Sequence, residues 1–191
     1  MTRLVVVTVG KTHSGKSTFA RALEEQLQDS VVVDQDNHAG FINAYYTKLR
    51  PMNGPNQLKY AITQTIVEYA IHQTDLHLIL CNSNRDRDGR LRLLKHFQQE
   101  GFTTVLVEFD LPAQILEERV ANSERSKNIF RFASSFEDVL RRQQADPNKD
   151  AMNKPLADEA DYLFVIRDAH DVQTVIQRIL DIPNLLSAEF T

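Results

Sequence analysis

Residues 8–19 read Thr-Val-Gly10-Lys-Thr-His-Ser-Gly15-Lys16-Ser17-Thr-Phe, which places two of the chain's 6 glycines five positions apart. The run before them, Leu4-Val-Val-Val-Thr-Val9, is continuous enough in apolar residues to be a buried strand. The run after them repeats Phe19, Ala22, Leu23 and Leu27 at helical spacing. The glycines therefore sit where a strand hands over to a helix. A loop that turns its N–H groups inward there needs unusual or positive φ at places where only glycine is unstrained.

Gly10 to Ser17 satisfies G-x-x-x-x-G-K-[ST], the phosphate-binding loop. Each residue type has a physical task in that loop. The start of the helix adds the positive end of its dipole, so a phosphate rests where several donors would otherwise be unpaired. Lys16 can reach the β- and γ-phosphates of ATP, and the Ser17 hydroxyl can ligate Mg²⁺. Candidate nucleotide contacts are Gly10, Lys11, Thr12, His13, Ser14, Gly15, Lys16, Ser17 and Thr18. Of these, His13 reads as a solvent-facing loop residue, because the loop binds mainly through its backbone.

The rest of the chain continues the alternation. Strand patterns recur at Ser30–Asp34, Leu76–Cys81, Thr104–Phe109 and Tyr162–Ile166. Helical patterns lie between them: His38, Phe41, Ile42, Tyr45, Tyr46 and Leu49 form an inward stripe that stops at Pro51. Asn56 caps a helix whose inward positions are Leu58, Ala61, Ile62, Thr65, Ile66, Tyr69 and Ala70. Further helices are expected over 88–100, after Pro112, from a capping box at Ser134 and Glu137, and over 171–180. Strands alternating with helices imply right-handed crossovers and a parallel sheet covered on both faces, so the fold class is α/β in one domain spanning 1–191.

Bulk properties narrow the function classes. A net charge of −4 argues against wholesale coating of nucleic acid or anionic membrane. No apolar stretch approaches the roughly 20 residues that span a bilayer. The single cysteine, Cys81, lies in a strand pattern and reads as a buried free thiol suited to a reducing cytoplasm. "NKPL" at 153–156 lacks the Asp of a guanine-reading Asn-Lys-x-Asp, which argues against a GTPase.

The second strand ends in "VVVDQDNH" (31–38). Laid beside the first strand, it would put Asp34 and Asp36 across from the γ-phosphate. There an acid can accept a hydroxyl proton or help hold Mg²⁺, with Asp36 the preferred base and Asp34 the metal-side acid; either can instead cap the following helix.

With these residues in place, the chain resembles small P-loop kinases of the polynucleotide kinase, zeta-toxin and gluconate kinase type. The resemblance runs through the phosphate loop, "VVDQDN" (32–37), "LILCNSNRDR" (78–87), "FDLPAQILEERVANSERS" (109–126) and "ADYLFVI" (160–166). It implies a P-loop NTPase three-layer α/β/α sandwich with five parallel strands, ATP and Mg²⁺ as cofactors, phosphoryl transfer to a hydroxyl, and an arginine-bearing lid near 119–134. By position, Asp36 matches the general base, and Arg119 and Arg125 match lid arginines, whose planar forks suit phosphate oxygens. Asn82 stands where these relatives commonly have an Asp at the third strand's end.

The acceptor side is expected near the helix pair of 37–74. Arg85, Arg87 and Arg90 interleave with Asp86 and Asp88, and read equally as an anion site or as a self-neutralised network. Without a concentrated basic stripe, a small-molecule acceptor ranks ahead of nucleic acid. The alternative is a switch that binds or slowly hydrolyses ATP and has no acceptor.

Overall fold

β-branched and leucine-rich runs form five strands: β1 (Arg3–Gly10), β2 (Ser30–Val33), β3 (His77–Leu80), β4 (Phe102–Phe109) and β5 (Tyr162–Ile166). The computed structural model describes residues 2–51, 53–130 and 135–188. All strand pairings are parallel, in the order β2-β3-β1-β4-β5. The phosphate-loop strand is thus central. Its neighbour is β3 and not β2, so the second strand does not lie beside the first as the sequence suggested.

Period-two alternation in β1 sends Leu4 and Val6 to one face and Val5, Val7 and Val9 to the other, and every one of them is buried. On the first face lie α1 (Lys16–Glu24) and α8 (Ala169–Ala188), through Phe19, Leu23, Ile176 and Ile179. On the second lie α3 (Gln57–Gln73) and α4 (Arg87–Gln99), through Val67, Ile71, Leu94 and Phe97. This is the three-layer sandwich expected of parallel strands with helical crossovers. The remaining helices are α2 (Gln35–Tyr45), α5 (Ala113–Ala121), α6 (Phe136–Gln144) and α7 (Pro147–Met152). Among the described residues no helix is long and apolar enough to cross a membrane.

Several boundaries and faces differ from the sequence reading. Helix α8 continues through Pro183, well past residue 180. Ser134 lies outside the described residues, and α6 is capped by Ser135, whose side chain accepts from the Asp138 amide. The inward stripes of the two acceptor-side helices are also rotated. In α2 only Ala39 and Ile42 are buried, while Phe41, Tyr45 and Tyr46 are exposed, as is Leu49 beyond its end. In α3 the buried positions are Thr63, Val67, Ala70 and Ile71, and Ile66 and Tyr69 face outward.

The arginines after β3 are neutralised, but by Glu159 and Asp150 from far along the chain and not by the interleaved Asp86 and Asp88 that the sequence suggested; Asp86 caps α4 instead. Arg90 and Glu159 are both buried, with Nε to Oε2 at 2.7 Å and Nη2 to Oε1 at 3.1 Å. Arg90 also donates to the carbonyls of Asn84 and Asn153, and Arg87 Nε reaches Glu159 at 3.0 Å. Arg85 pairs with Asp150. These contacts fasten the turn before α4 to the loop that leads into β5.

Candidate functional site

The loop between β1 and α1 owes its shape to its glycines. A Cβ on Gly10 would lie 2.9 Å from Phe109 Cβ and 3.0 Å from Ser14 Oγ, closer than side chains tolerate. Gly15, at φ 100°, occupies the left-handed region at the start of α1, and His13 does so too at φ 58°. The first amides of α1 have no intrahelical acceptor and face the concavity between the two glycines. The Lys16 ammonium crosses that concavity to the Lys11 carbonyl and Ser14 Oγ, and its burial lowers its pKa to about 8.

Ser17 Oγ donates to Asp34 Oδ2 at 3.2 Å. Asp34 is buried and has two tasks, because its Oδ1 also accepts from the Asp36 amide and caps α2. The residue facing Ser17 from the end of β3 is Cys81, with Sγ 3.5 Å from Ser17 Oγ. Burial pushes its thiol up to about 11. Asn82, aligned to that position from sequence, instead accepts from the Gln35 amide at the start of α2.

Asp36 projects from the first turn of α2, and its Oδ2 accepts from Arg125 at 2.8 Å. The Arg125 guanidinium also lies over the Phe136 ring at 5.5 Å. Arg119 leans on the loop, donating to the His13 carbonyl at 3.4 Å, and not on its neighbours Glu117 and Glu118. His13 is not solvent-facing as expected. Its Nε2 lies 2.7 Å from Ser123 Oγ and its ring packs edge-on against Phe136, so it joins the loop to the arginine-bearing segment. Lys11 is turned away from the other loop residues and pairs with Asp150 at 2.7 Å, while the Thr12 amide donates to Gln143 Oε1. Helices α6 and α7 thereby brace the loop from behind.

A cavity of about 730 Å³ runs along the C-terminal edge of the sheet and collects most of these groups. Residues 12–18 form its middle, with Arg119 and Arg125 above them. Its β4–β5 end carries the apolar side chains of Phe109, Leu111, Ile166 and Val172, together with Asp168. Its β2 end is polar, with Gln35, Asp36, Lys59 and Tyr60. Gly10 and Lys11 shape the loop from outside this cavity. The sequence reading missed Lys59 and Tyr60; a lysine in the first turn of a capped helix, against the helix dipole, was the available signal.

Three histidines share one response to burial. His13, His38 and His77 all have pKa values lowered from 6.5, chiefly by desolvation. His77 Nδ1 accepts from the Leu4 amide, which requires an unprotonated nitrogen there. Below pH 6.5 the unfolded chain takes up protons that the folded chain refuses, so this contribution to stability is present above pH 6.5 and shrinks as pH falls through it. Urea midpoints should therefore be lower at pH 5.5 than at pH 7.5; an unchanged midpoint would contradict the assignment.

A central β1 ending in a phosphate loop, with parallel strands either side and helices on both faces, defines a P-loop NTPase of the α/β/α class. The family comparison makes this more specific: a family model described as "AAA domain" (AAA_33) matches residues 5–147, and the chain belongs to that family. No match was found among the curated proteins. Among solved structures, Kti12 from Chaetomium thermophilum in complex with ADP-AlF3 is similar at 17% identity and TM-score 0.62, covering 93% of this chain and 97% of that one. A sugar kinase from Janibacter sp. HTCC2649 aligns at 19% identity and TM-score 0.58, covering 94% and 93%. The APS kinase CysC of Mycobacterium tuberculosis, in complex with AMPPNP and APS, aligns at 18% identity and TM-score 0.57, covering 96% and 98%. These likenesses concern the fold.

Proposed function

We propose that the protein is a cytoplasmic kinase that transfers the γ-phosphoryl of ATP to a hydroxyl of a small-molecule or nucleotide-like acceptor. The observation that carries this reading is the shared cavity: a glycine-shaped phosphate cradle with Lys16 at its floor, and the Asp36 carboxylate on the adjoining wall. The apolar end at Phe109, Ile166 and Val172 takes the base, and the end at Asp36 takes the acceptor.

The donor set suits Mg²⁺, a hard cation that keeps several waters and needs few protein oxygens. Ser17 Oγ and Asp34 Oδ2 already lie 3.2 Å apart beside the cradle. When bound there, the ion supplies charge neutralisation on the phosphate oxygens. The chain's own residues do the rest. Amides of the loop orient the phosphates, and Lys16 in its charged form offsets the developing charge. Arg119 and Arg125, on the segment of approximately 119–134 expected as a lid, of which 131–134 lie outside the described residues, close over the transferring group. Asp36 accepts the proton of the acceptor hydroxyl once Arg125 turns from it to phosphate.

Lys16→Ala tests the cradle directly. ATP affinity measured by calorimetry with Mg²⁺ should fall by about tenfold or more, the order expected for losing one charge-assisted contact. Undiminished affinity would count against the site. Transfer itself is tested with labelled γ-phosphate across alcohols, sugars, nucleosides and 5′-hydroxyl oligonucleotides, and retention of all label on ATP or as free phosphate would overturn the kinase reading.

A further inference from the structure

The acceptor end of the cavity contains a cation that the chemistry above does not use. Lys59 lies in the first turn of α3, capped by Asn56, whose side chain accepts from the Lys59 amide. That turn holds no acidic residue, and a lysine there opposes the positive end of the helix dipole. Of the other cations on this side of the molecule, Arg125 pairs with Asp36, Lys11 and Arg85 with Asp150, and Arg87 and Arg90 with Glu159, while Lys16 and Arg119 are turned to oxygens of the phosphate loop itself. Lys59 has no carboxylate within salt-bridge distance among the described residues, and its ammonium rests over the Tyr60 ring at 4.8 Å. Both side chains line the cavity that holds Asp36.

The position along the sheet fixes what this cation can read. The phosphate loop follows β1 at the centre of the sheet, whereas α3 packs against the edge strand β2 and α2, which follows β2, packs on α3. Lys59 therefore lies at the β2 end of the cavity, with Asp36, and away from the apolar end near Phe109 and Ile166. An ammonium held at the Asp36 end of the cavity, beside a tyrosine and with no carboxylate of its own, is complementary to an anion. We infer that the acceptor is an anionic alcohol, bearing a phosphate or carboxylate that Lys59 binds while its hydroxyl faces Asp36. Tyr60 offers a flat wall to the carbon skeleton and a phenolic hydroxyl at the same end. This assignment rests on the kinase reading for the hydroxyl's fate, but the anion subsite is testable without catalysis.

The experiment uses the whole chain saturated with Mg²⁺ and ADP, titrated calorimetrically with matched pairs: glycerol 3-phosphate against glycerol, gluconate against glucose, and adenosine 3′-monophosphate against adenosine. At least one charged member should bind tenfold or more tightly than its neutral twin. Lys59→Gln should lose that tenfold preference, Lys59→Arg should keep most of it, and ADP affinity should stay within twofold in both. Neutral and charged members binding alike, no charged member binding, or Lys59→Gln retaining the preference would each overturn the inference. The same pairs are then offered with labelled ATP. Charge-dependent binding through Lys59 with no phosphoryl transfer leaves the anion subsite standing and removes the kinase reading; transfer confined to neutral alcohols does the reverse.

Discussion

Replacing Asp36 by alanine should lower phosphoryl transfer by about 10²–10⁴-fold, the usual contribution of a positioned general base, with ATP affinity nearly intact. The separation of effects follows from the geometry. Asp34, not Asp36, caps α2 and contacts Ser17, so removing the Asp36 carboxylate leaves the helix start and the proposed metal side in place. What disappears is the acceptor of the Arg125 hydrogen bond and of the substrate proton. Asp36→Asn sharpens the test, because the amide oxygen can still accept from Arg125 but the group cannot take a proton at neutral pH. Single-turnover transfer of labelled phosphate reads the chemical step. An unchanged rate in either variant would remove Asp36 from its assigned role.

Glu159→Ala should destabilise the fold by about 3–5 kcal/mol, because it leaves a buried charge without its counterion. The Arg90 side chain is 0% exposed and depends on Glu159 for both oxygens of its fork. The carbonyls of Asn84 and Asn153 remain as partners, but they carry no charge to offset the guanidinium. For a chain of this size the loss corresponds to a fall in Tm of about 10 °C. The double variant R90M/E159L should recover much of it, since an apolar pair of similar volume removes the stranded charge together with its partner. Urea denaturation checks both. A loss under about 1 kcal/mol in Glu159→Ala would mean that water reaches Arg90 and screens it.

The phosphate loop and the central strand were legible because their signals are local. The motif from Gly10 to Ser17 is complete within eight residues, although the side chain excluded at Gly10 is excluded by Phe109 of β4, and β1 is buried on both faces, which leaves an uninterrupted apolar run. The caps at Asp34 and Asn56 are local as well. The faces of α2 and α3 were not legible. Helix α3 covers the edge strand β2 and α2 packs on α3, and both bury narrow strips, so their remaining aromatics face outward; spacing alone cannot separate a core stripe from an exposed one. Strand order was equally hidden, since β3 enters between β1 and β2 from 44 residues downstream of β2, a distance read from Val33 to His77. The contacts of His13 with Ser123, Lys11 with Asp150 and Thr12 with Gln143 join segments more than 100 residues apart, and no pattern within either segment announces them.

The placement of Cys81 gives the chain a built-in clock. Its thiol is the single sulfhydryl of the sequence, buried behind Ser17 at the wall of the nucleotide cavity and kept in the unreactive protonated form by its surroundings. An alkylating reagent reaches it only when that wall loosens. The pace of covalent labelling therefore counts how often the molecule opens directly beneath its phosphate loop.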